Sequence, residues 1–225
     1  MRRPIFYVTG TDTGVGKTVL TTSLTRRLIE RGIDVASLKP LCSGSRSDAV
    51  AIQRIVADRF GLDYVNPWYF RAPLAPAIAA RAEGRRVRGQ AVVDYIRSVA
   101  MFHAITIVEG AGGLLSPMTT DLDAAGIIDA VRAIPIVVCP NRLGAINQSL
   151  LVVRALPRAR VSKVRVVLMS LARPDHSADS NVDYLRDALG SGRVFEFPWL
   201  DAATRNGLAR PNSVVRRVLD SLVCI

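Results

Sequence analysis

The sequence predicts an α/β fold in three layers, a mostly parallel central sheet flanked by helices. Two observations carry this. Short runs of apolar, β-branched residues alternate with helix-period segments along the 225-residue chain, the pattern of right-handed βαβ units. Those runs are apolar almost throughout, as in Ile105-Thr106-Ile107-Val108 and Ile136-Val137-Val138-Cys139, which suits a sheet buried on both faces.

Residues 5–9 read as the first strand, and residues 18–31 as a helix closed by Gly32. Residues 35–39 give a second strand ended by Pro40. Residues 48–60 read as a helix, with Asp48 near its start, where a plain N-cap would also sit, and Gly61 beyond its end. Residues 63–81 are rich in proline and aromatics and have weak periodicity. Helices follow over residues 87–101, 122–132, 148–156, 181–189 and 214–223. Strands follow over residues 105–109, 136–139, 164–169 and 194–197. The length suits one domain over residues 1–225.

Composition is that of a soluble globular protein, 49% hydrophobic and 22% charged. No apolar run approaches the roughly 20 residues that a membrane-spanning helix needs. Arg2 and Arg3 precede a short apolar run that enters a glycine-rich loop, so it reads as a core strand rather than a leader, and a cytoplasmic protein is expected. Cys42, Cys139 and Cys224 show neither metal-ligand spacing nor a disulfide framework and read as small apolar fillers, with Cys42 close enough to a suspected site to line it. The net charge is +11, and Lys17, Lys39 and Lys163 are the only lysines. The densest cluster, Arg81, Arg85, Arg86 and Arg88, has no interleaved aromatics and reads as a solvated face rather than a nucleic-acid surface. Neither nucleic acid nor membrane is expected as a partner. His103 and His176 lack clustered partners and read as surface or helix-end residues, and Trp68 and Trp199 as packing residues.

Ligands of parallel sheets sit at the carboxyl ends of the strands, and the chemistry-bearing motifs fall there. The first strand ends in Gly10-Thr11-Asp12-Thr13-Gly14-Val15-Gly16-Lys17-Thr18. A Gly-Lys-Thr that follows a strand and opens a helix is a P-loop: glycines let backbone N–H groups converge on phosphate oxygens, and the helix N-terminus adds positive charge. Lys17 can neutralise β- and γ-phosphates, and the Thr18 hydroxyl can bind Mg²⁺. Five residues, not the usual four, separate Gly10 from Gly16. The second strand ends in Lys39-Pro40-Leu41-Cys42-Ser43-Gly44-Ser45, which offers a second cation for a transferring phosphoryl group and hydroxyl donors at Ser43 and Ser45. Asp48 and Glu109 are carboxylates that could share Mg²⁺ with Thr18.

Together these segments resemble dethiobiotin synthetases. The matching elements are the loop from Gly10, the Lys39 segment, Ser47-Asp48-Ala49, Asn66-Pro67-Trp68-Tyr69-Phe70, Val108-Glu109-Gly110-Ala111-Gly112-Gly113, Leu143-Gly144-Ala145-Ile146-Asn147-Gln148 and Pro198-Trp199-Leu200. They keep the family's order over nearly the whole chain, and the unusual glycine spacing is the family's own. The resemblance implies a P-loop NTPase-like fold, a homodimer, and an ATP-consuming ligase that closes a ureido ring on 7,8-diaminopelargonic acid with CO₂. It implies that Gly14, Val15, Gly16, Lys17, Thr18 and Val19 bind the phosphates and that Thr18, Asp48 and Glu109 hold Mg²⁺. Lys39 is then the active-site lysine, with Lys17 and Thr13 beside it, and Ser43, Pro73 and Pro76 form the diamine cleft. Gly110, Ala111 and Gly112 lie along the nucleotide. Ser170, Pro198, Trp199 and Leu200 lie by the base, and Leu143, Gly144 and Asn147 reach the acid tail of substrate in the neighbouring subunit. Two positions depart from the family: Ser170 lies in a stretch where many members have a base-reading asparagine, and Ala77 replaces a histidine. The first leaves nucleotide preference open, since a hydroxyl lacks an amide's paired donor and acceptor.

Three other readings share the loop. A partitioning-type P-loop ATPase acting on DNA or membrane would carry an extra early lysine, where Asp12 and Thr13 stand here. A cobyric-acid-type amidotransferase needs a glutaminase domain that 225 residues cannot hold. A binder without turnover would have no need of Lys17, Thr18, Lys39, Asp48 and Glu109 together.

Overall fold

The computed structural model describes residues 3–57, 59–205 and 209–223; Arg2 and Cys224 lie outside them. The elements run β1 (Ile5–Gly10), α1 (Lys17–Glu30), β2 (Val35–Leu38), β3 (Leu41–Ser43), α2 (Ser47–Ile55), α3 (Leu62–Val65), β4 (Trp68–Phe70), α4 (Pro76–Ala82), α5 (Gly89–Ala100), β5 (Ile105–Glu109), α6 (Ala124–Ala130), β6 (Ile134–Pro140), α7 (Ala145–Ala155), α8 (Arg158–Val161), β7 (Arg165–Met169), α9 (Ala178–Leu189), a 3₁₀ turn (Ser191–Arg193), β8 (Val194–Phe197), α10 (Ala202–Arg205) and α11 (Ser213–Val223). Six strands form one sheet in the order β2-β5-β1-β6-β7-β8, and each neighbouring pair is parallel.

The sheet is buried on both faces because its residues alternate between two cores. Phe6, Val8, Ile105, Ile107, Ile136 and Val138 face Leu20, Leu24 and Leu28 of α1 and Val215, Leu219 and Leu222 of α11. Tyr7, Val108, Val137, Cys139, Val166 and Leu168 face Val92 and Ile96 of α5, Ile127 and Ile128 of α6, Val153 of α7 and Leu185 of α9. A strand whose every residue meets a core cannot show polar alternation.

Polar contacts set the helix positions. Within α1, Thr22 and Thr25 return their hydroxyls to carbonyls four residues back, and Thr25 also meets Ser37 of β2 at 2.6 Å. Asp123 caps α6 by accepting the Gly126 N–H at 2.7 Å. Asp220 of α11 takes two bonds from the Arg27 guanidinium of α1, at 2.8 and 2.7 Å.

The structure corrects some sequence expectations and adds to others. The helix expected over residues 48–60 stops at Ile55, and Arg46, not Asp48, precedes its first turn. Residues 63–81 hold β4 and α4, and β4 pairs with β3 in a small separate parallel sheet. Three-residue strands are too short to show a period. His103 is a buried residue whose Nδ1 lies 3.1 Å from Asp34 Oδ2, with its ring edge-on to Phe60. Its partners are 69 and 43 positions away in sequence, so no local pattern announces them. The arginine cluster is exposed as expected, but Arg85 lies over the Phe70 ring, 4.7 Å from its centroid. Among the described residues no helix is long and apolar enough to cross a membrane.

The α1–α11 pairing generates a prediction. The hydrogen bonds from Arg27 hold the Asp220 carboxyl below its ordinary pKa, so its contribution is present above the ordinary carboxylate range and is lost as pH falls through the folded value. Asp220→Asn is expected to cost about 1 kcal/mol in urea unfolding at pH 7, with the deficit shrinking in acid. A deficit that does not change between pH 7 and pH 3 sinks this account.

Candidate active site

The strand order places the chemistry. β2, β5 and β1 are neighbours, with Leu38 registered on Val108 and Val8 on Glu109. Their carboxyl ends therefore deliver Lys39, Glu109 and residues 10–18 to one side of the sheet edge. α2 brings Asp48 over the same spot in its first turn.

Residues 11–16 wrap over the start of α1, which begins at Lys17. Gly16 has φ +103°, and a Cβ there would lie 3.1 Å from Met169 Cε, so only glycine joins this loop to this helix without strain. Gly44 (φ +72°) does the same service after β3, where a Cβ would meet Pro73 at 3.0 Å. That close approach brings Pro73 over the cleft.

The cleft holds about 650 Å³. Its walls include Thr13, Gly14, Gly16, Lys17, Thr18 and Val19 from the loop and α1, and Lys39, Ser43 and Asp48 from the second strand end. Pro73 and Pro76 close one side, and Ala111 and Gly112 another. These predicted residues are brought together. Cys42, Ser45 and Ser116 line it too. Sequence reasoning assigned no role to Ser116. Its hydroxyl accepts the Gly113 N–H at 2.9 Å, a contact that only the folded glycine turn reveals.

At the floor Lys39, Asp48, Glu109 and Thr18 form one cluster. Lys39 Nζ donates to Glu109 Oε1 at 2.7 Å and Asp48 Oδ2 at 2.9 Å, and lies 3.4 Å from the Gly110 carbonyl. The Thr18 hydroxyl donates to the same Glu109 Oε1 at 2.8 Å. Glu109 is 0% exposed and Lys39 3%. Burial pushes the Lys39 ammonium down, but the charges of Glu109 and Asp48 more than offset this and hold it protonated above the ordinary lysine value. Burial raises Asp48, but the Lys39 charge together with hydrogen bonds from Lys39 and Thr18 and the charge of Lys17 leaves the carboxyl below its usual range. Lys17 differs. Burial and then the charge of Lys39 bring it down to about 8, and its ammonium donates to the Asp12 carbonyl at 2.7 Å.

The donor set fits a hard divalent cation. Glu109 Oε2 is buried with no hydrogen-bond partner, and Asp48, Glu109 and Thr18 offer only oxygen. Among the described residues no three His, Cys, Asp or Glu side chains converge, so a cation here needs phosphate oxygens and waters as well, the habit of Mg²⁺.

Other predicted residues lie elsewhere. Val15 is buried under the loop, in the α1 core. Ser170, Pro198, Trp199 and Leu200 follow β7 and β8, two and three strands from β1, roughly 10 and 14 Å across the sheet. Ser170 Oγ bonds Glu196 at 3.2 Å, Trp199 is half-exposed under the Arg205 guanidinium, and Leu200 is buried. Trp68, by contrast, packs edge-on against Tyr95. Leu143, 83% exposed, with Gly144 and Asn147, lies at the exposed start of α7 and does not line the cleft of this chain.

A family model described as an AAA domain matches residues 5–206. The ATP-dependent dethiobiotin synthetase of Anaeromyxobacter dehalogenans (strain 2CP-C) is 42% identical over 166 residues, 72% of this chain and 74% of that protein. That of Xanthomonas axonopodis pv. citri (strain 306) is 31% identical over 223 residues, 94% of this chain and 100% of the other. Among solved structures, a ParA family ATPase from Chlorobium tepidum TLS superposes with a TM-score of 0.62 at 13% identity, over 99% of this chain and 100% of that one. The signal recognition particle receptor FtsY of Elizabethkingia anophelis gives 0.57 at 14% identity, over 98% of this chain and 65% of that one. These last two likenesses establish the P-loop NTPase fold alone. With the glycine loop, Lys17 at the start of α1, Lys39 after β2 and the carboxylates of Asp48 and Glu109 gathered at one cleft, and with relatives of this identity over most of the chain, the protein belongs to the ATP-dependent dethiobiotin synthetase family, a family of ligases of biotin synthesis.

Proposed function

We propose that this chain closes the ureido ring of dethiobiotin from 7,8-diaminopelargonic acid, CO₂ and ATP, as one catalytic domain in a cytoplasmic homodimer. The observation that carries this reading is the cluster of Lys39, Glu109, Asp48 and Thr18 on the floor of a cleft walled by the P-loop. One amine of the substrate attacks CO₂, forming an N–C bond and losing a proton to leave a carbamate. A carbamate oxygen attacks the γ-phosphorus of ATP, the bond to the bridging oxygen breaks, and ADP departs. The second amine then attacks the carbonyl carbon of this mixed anhydride. Phosphate leaves, a proton is lost, and the ring closes.

The residues position and neutralise; none is needed as a nucleophile. Lys17 and the backbone N–H groups of residues 14–18 bind phosphates. Lys39 and Thr13 face the carbamate and the transferring phosphoryl group. Thr18, Asp48 and Glu109 would hold Mg²⁺, which when bound supplies positive charge to the phosphate oxygens. Ser43, Pro73 and Pro76 line the diamine side, although the Ser43 hydroxyl here donates to the Leu74 carbonyl at 2.5 Å. Gly110, Ala111 and Gly112 lie along the nucleotide. Leu143, Gly144 and Asn147 are free to serve a second subunit because they turn away from their own cleft. The separation of residues 170 and 198–200 from the P-loop suits a base one nucleoside away from the phosphates. The partitioning-ATPase reading has only the shared fold in its favour.

Lys39→Gln removes the charge and keeps a donor. Dethiobiotin formation with bicarbonate, Mg²⁺ and ATP is expected to fall by about two to three orders of magnitude in kcat; turnover within twofold of the parent would falsify the role of Lys39. Lys39→Ala is the harsher change, because it strands a buried Glu109 charge at about 3–5 kcal/mol. Ser170 also generates an expectation. With no amide to read the base, turnover with CTP and GTP should stay within about tenfold of that with ATP, a discrimination worth less than one good hydrogen bond to a charged group. Strict ATP dependence in side-by-side kcat/KM measurements would place base selection on other groups.

A further inference from the structure

The side chains offered to the metal are already engaged. Asp48 Oδ2 and Glu109 Oε1 both accept from Lys39 Nζ, and the latter also accepts from Thr18. An ammonium 2.7 and 2.9 Å from those oxygens neutralises two of the groups that would hold a divalent cation. Glu109 is wholly buried, and a buried carboxylate needs a counter-cation at every stage of the cycle. Only its Oε2 is left without a partner.

We infer that Lys39 is the resident cation of the metal site in the nucleotide-free enzyme, and that metal loading and release of Lys39 into the cleft are one exchange. This deepens the reading above and rests on it. Two observations give it direction. The backbone of Lys39 is fixed, with its N–H on the Val65 carbonyl at 2.9 Å and its carbonyl accepting from Asn66 Nδ2 at 2.7 Å. The exchange is therefore a swing of the flexible four-carbon stem within a cleft that Lys39 lines. The charges also balance before anything binds, with Lys17 and Lys39 set against Asp48 and Glu109. A bare divalent cation would add uncompensated charge to a neutral cluster in which Lys17, Lys39 and Glu109 are buried. A metal–triphosphate complex carries net negative charge, meets Lys17 and the loop, and frees Lys39 to follow the carbamate and the γ-phosphate. Metal and nucleotide thus load as a unit, and Lys39 reaches the reacting groups only once both are present.

The test is Mn²⁺ binding, read from the electron paramagnetic resonance of free Mn²⁺, with the full chain and the variants Lys39→Met and Lys39→Gln. Without nucleotide, the parent should bind Mn²⁺ weakly and both variants at least about tenfold more tightly, since a neighbouring positive charge has gone. With the β,γ-imido analogue of ATP, all three should retain Mn²⁺. Thermal melting supplies a second readout: Mn²⁺ alone should raise the midpoint of the variants and leave that of the parent unchanged. If neither variant gains affinity or stability from Mn²⁺ alone while all three bind the metal–nucleotide complex, the resident-cation role is wrong and the metal site stands. If the parent holds no Mn²⁺ beyond what the nucleotide itself carries, the metal site fails and this inference fails with it.

Discussion

The site rests on a carboxylate that water cannot reach. Glu109 ends β5, the strand between β2 and β1, and is fully enclosed. A charge in that position is tolerable only with a cation in contact and hydrogen bonds on its oxygens. Lys39 and Thr18 meet that demand from the two flanking elements, β2 and α1. The same demand makes the cluster chemically useful, because an oxygen that must always have a positive partner will accept a metal ion or an ammonium in turn. In the proposed reading stability and function draw on one interaction, and substitutions of Lys39 would disturb both.

Sheet order decides which motifs can act together. Parallel strands release their chains at one edge, so every loop with chemistry emerges on the same side. Distance along that edge then sorts them. The ends of β2, β5 and β1 are adjacent and build the candidate site. The end of β6 lies on the other side of β1 and leads to residues 143–147, which face outward. The ends of β7 and β8 are further still, and Met169 touches the loop only by packing under Gly16. A long ligand laid across the edge would meet phosphate-binding groups first and residues 170 and 198–200 last.

Much of this was legible in the sequence, for physical reasons that can be named. The inner strands stand out because burial on both faces makes them nearly continuously apolar, and the bounds of residues 105–109 and 194–197 match β5 and β8, although β8 carries an exposed Glu196. The loop declares itself through glycines that no other residue can replace at positive φ. The floor cluster was legible as a set of residue types at strand ends, but not as an arrangement: that Lys39 lies between both carboxylates depends on side chains 9 and 70 positions apart. β3, β4 and α4 escaped notice because three to seven residues carry too little periodicity. His103 escaped because its partners, Asp34, Tyr64 and Phe60, are joined only by tertiary packing.

That last cluster bears on the chemistry from a distance. β2 is an edge strand, paired only with β5, and edge strands are the least constrained part of a sheet. Its two ends are tied in different ways. Before it, Asp34 accepts from the Arg59 guanidinium and meets His103, and the Phe60 and Tyr64 rings stack alongside with centroids 4.5 Å apart. After it, buried Asn66 holds the Lys39 and Pro40 carbonyls, and Arg46 in turn donates to the Asn66 side chain. Each tie draws on the segment between α2 and β4, through Arg59 before the strand and Asn66 after it. The exchange inferred for Lys39 needs a fixed root. Asn66, from the proline- and aromatic-rich stretch, supplies it after the strand, while Arg59 and His103 hold the chain before it.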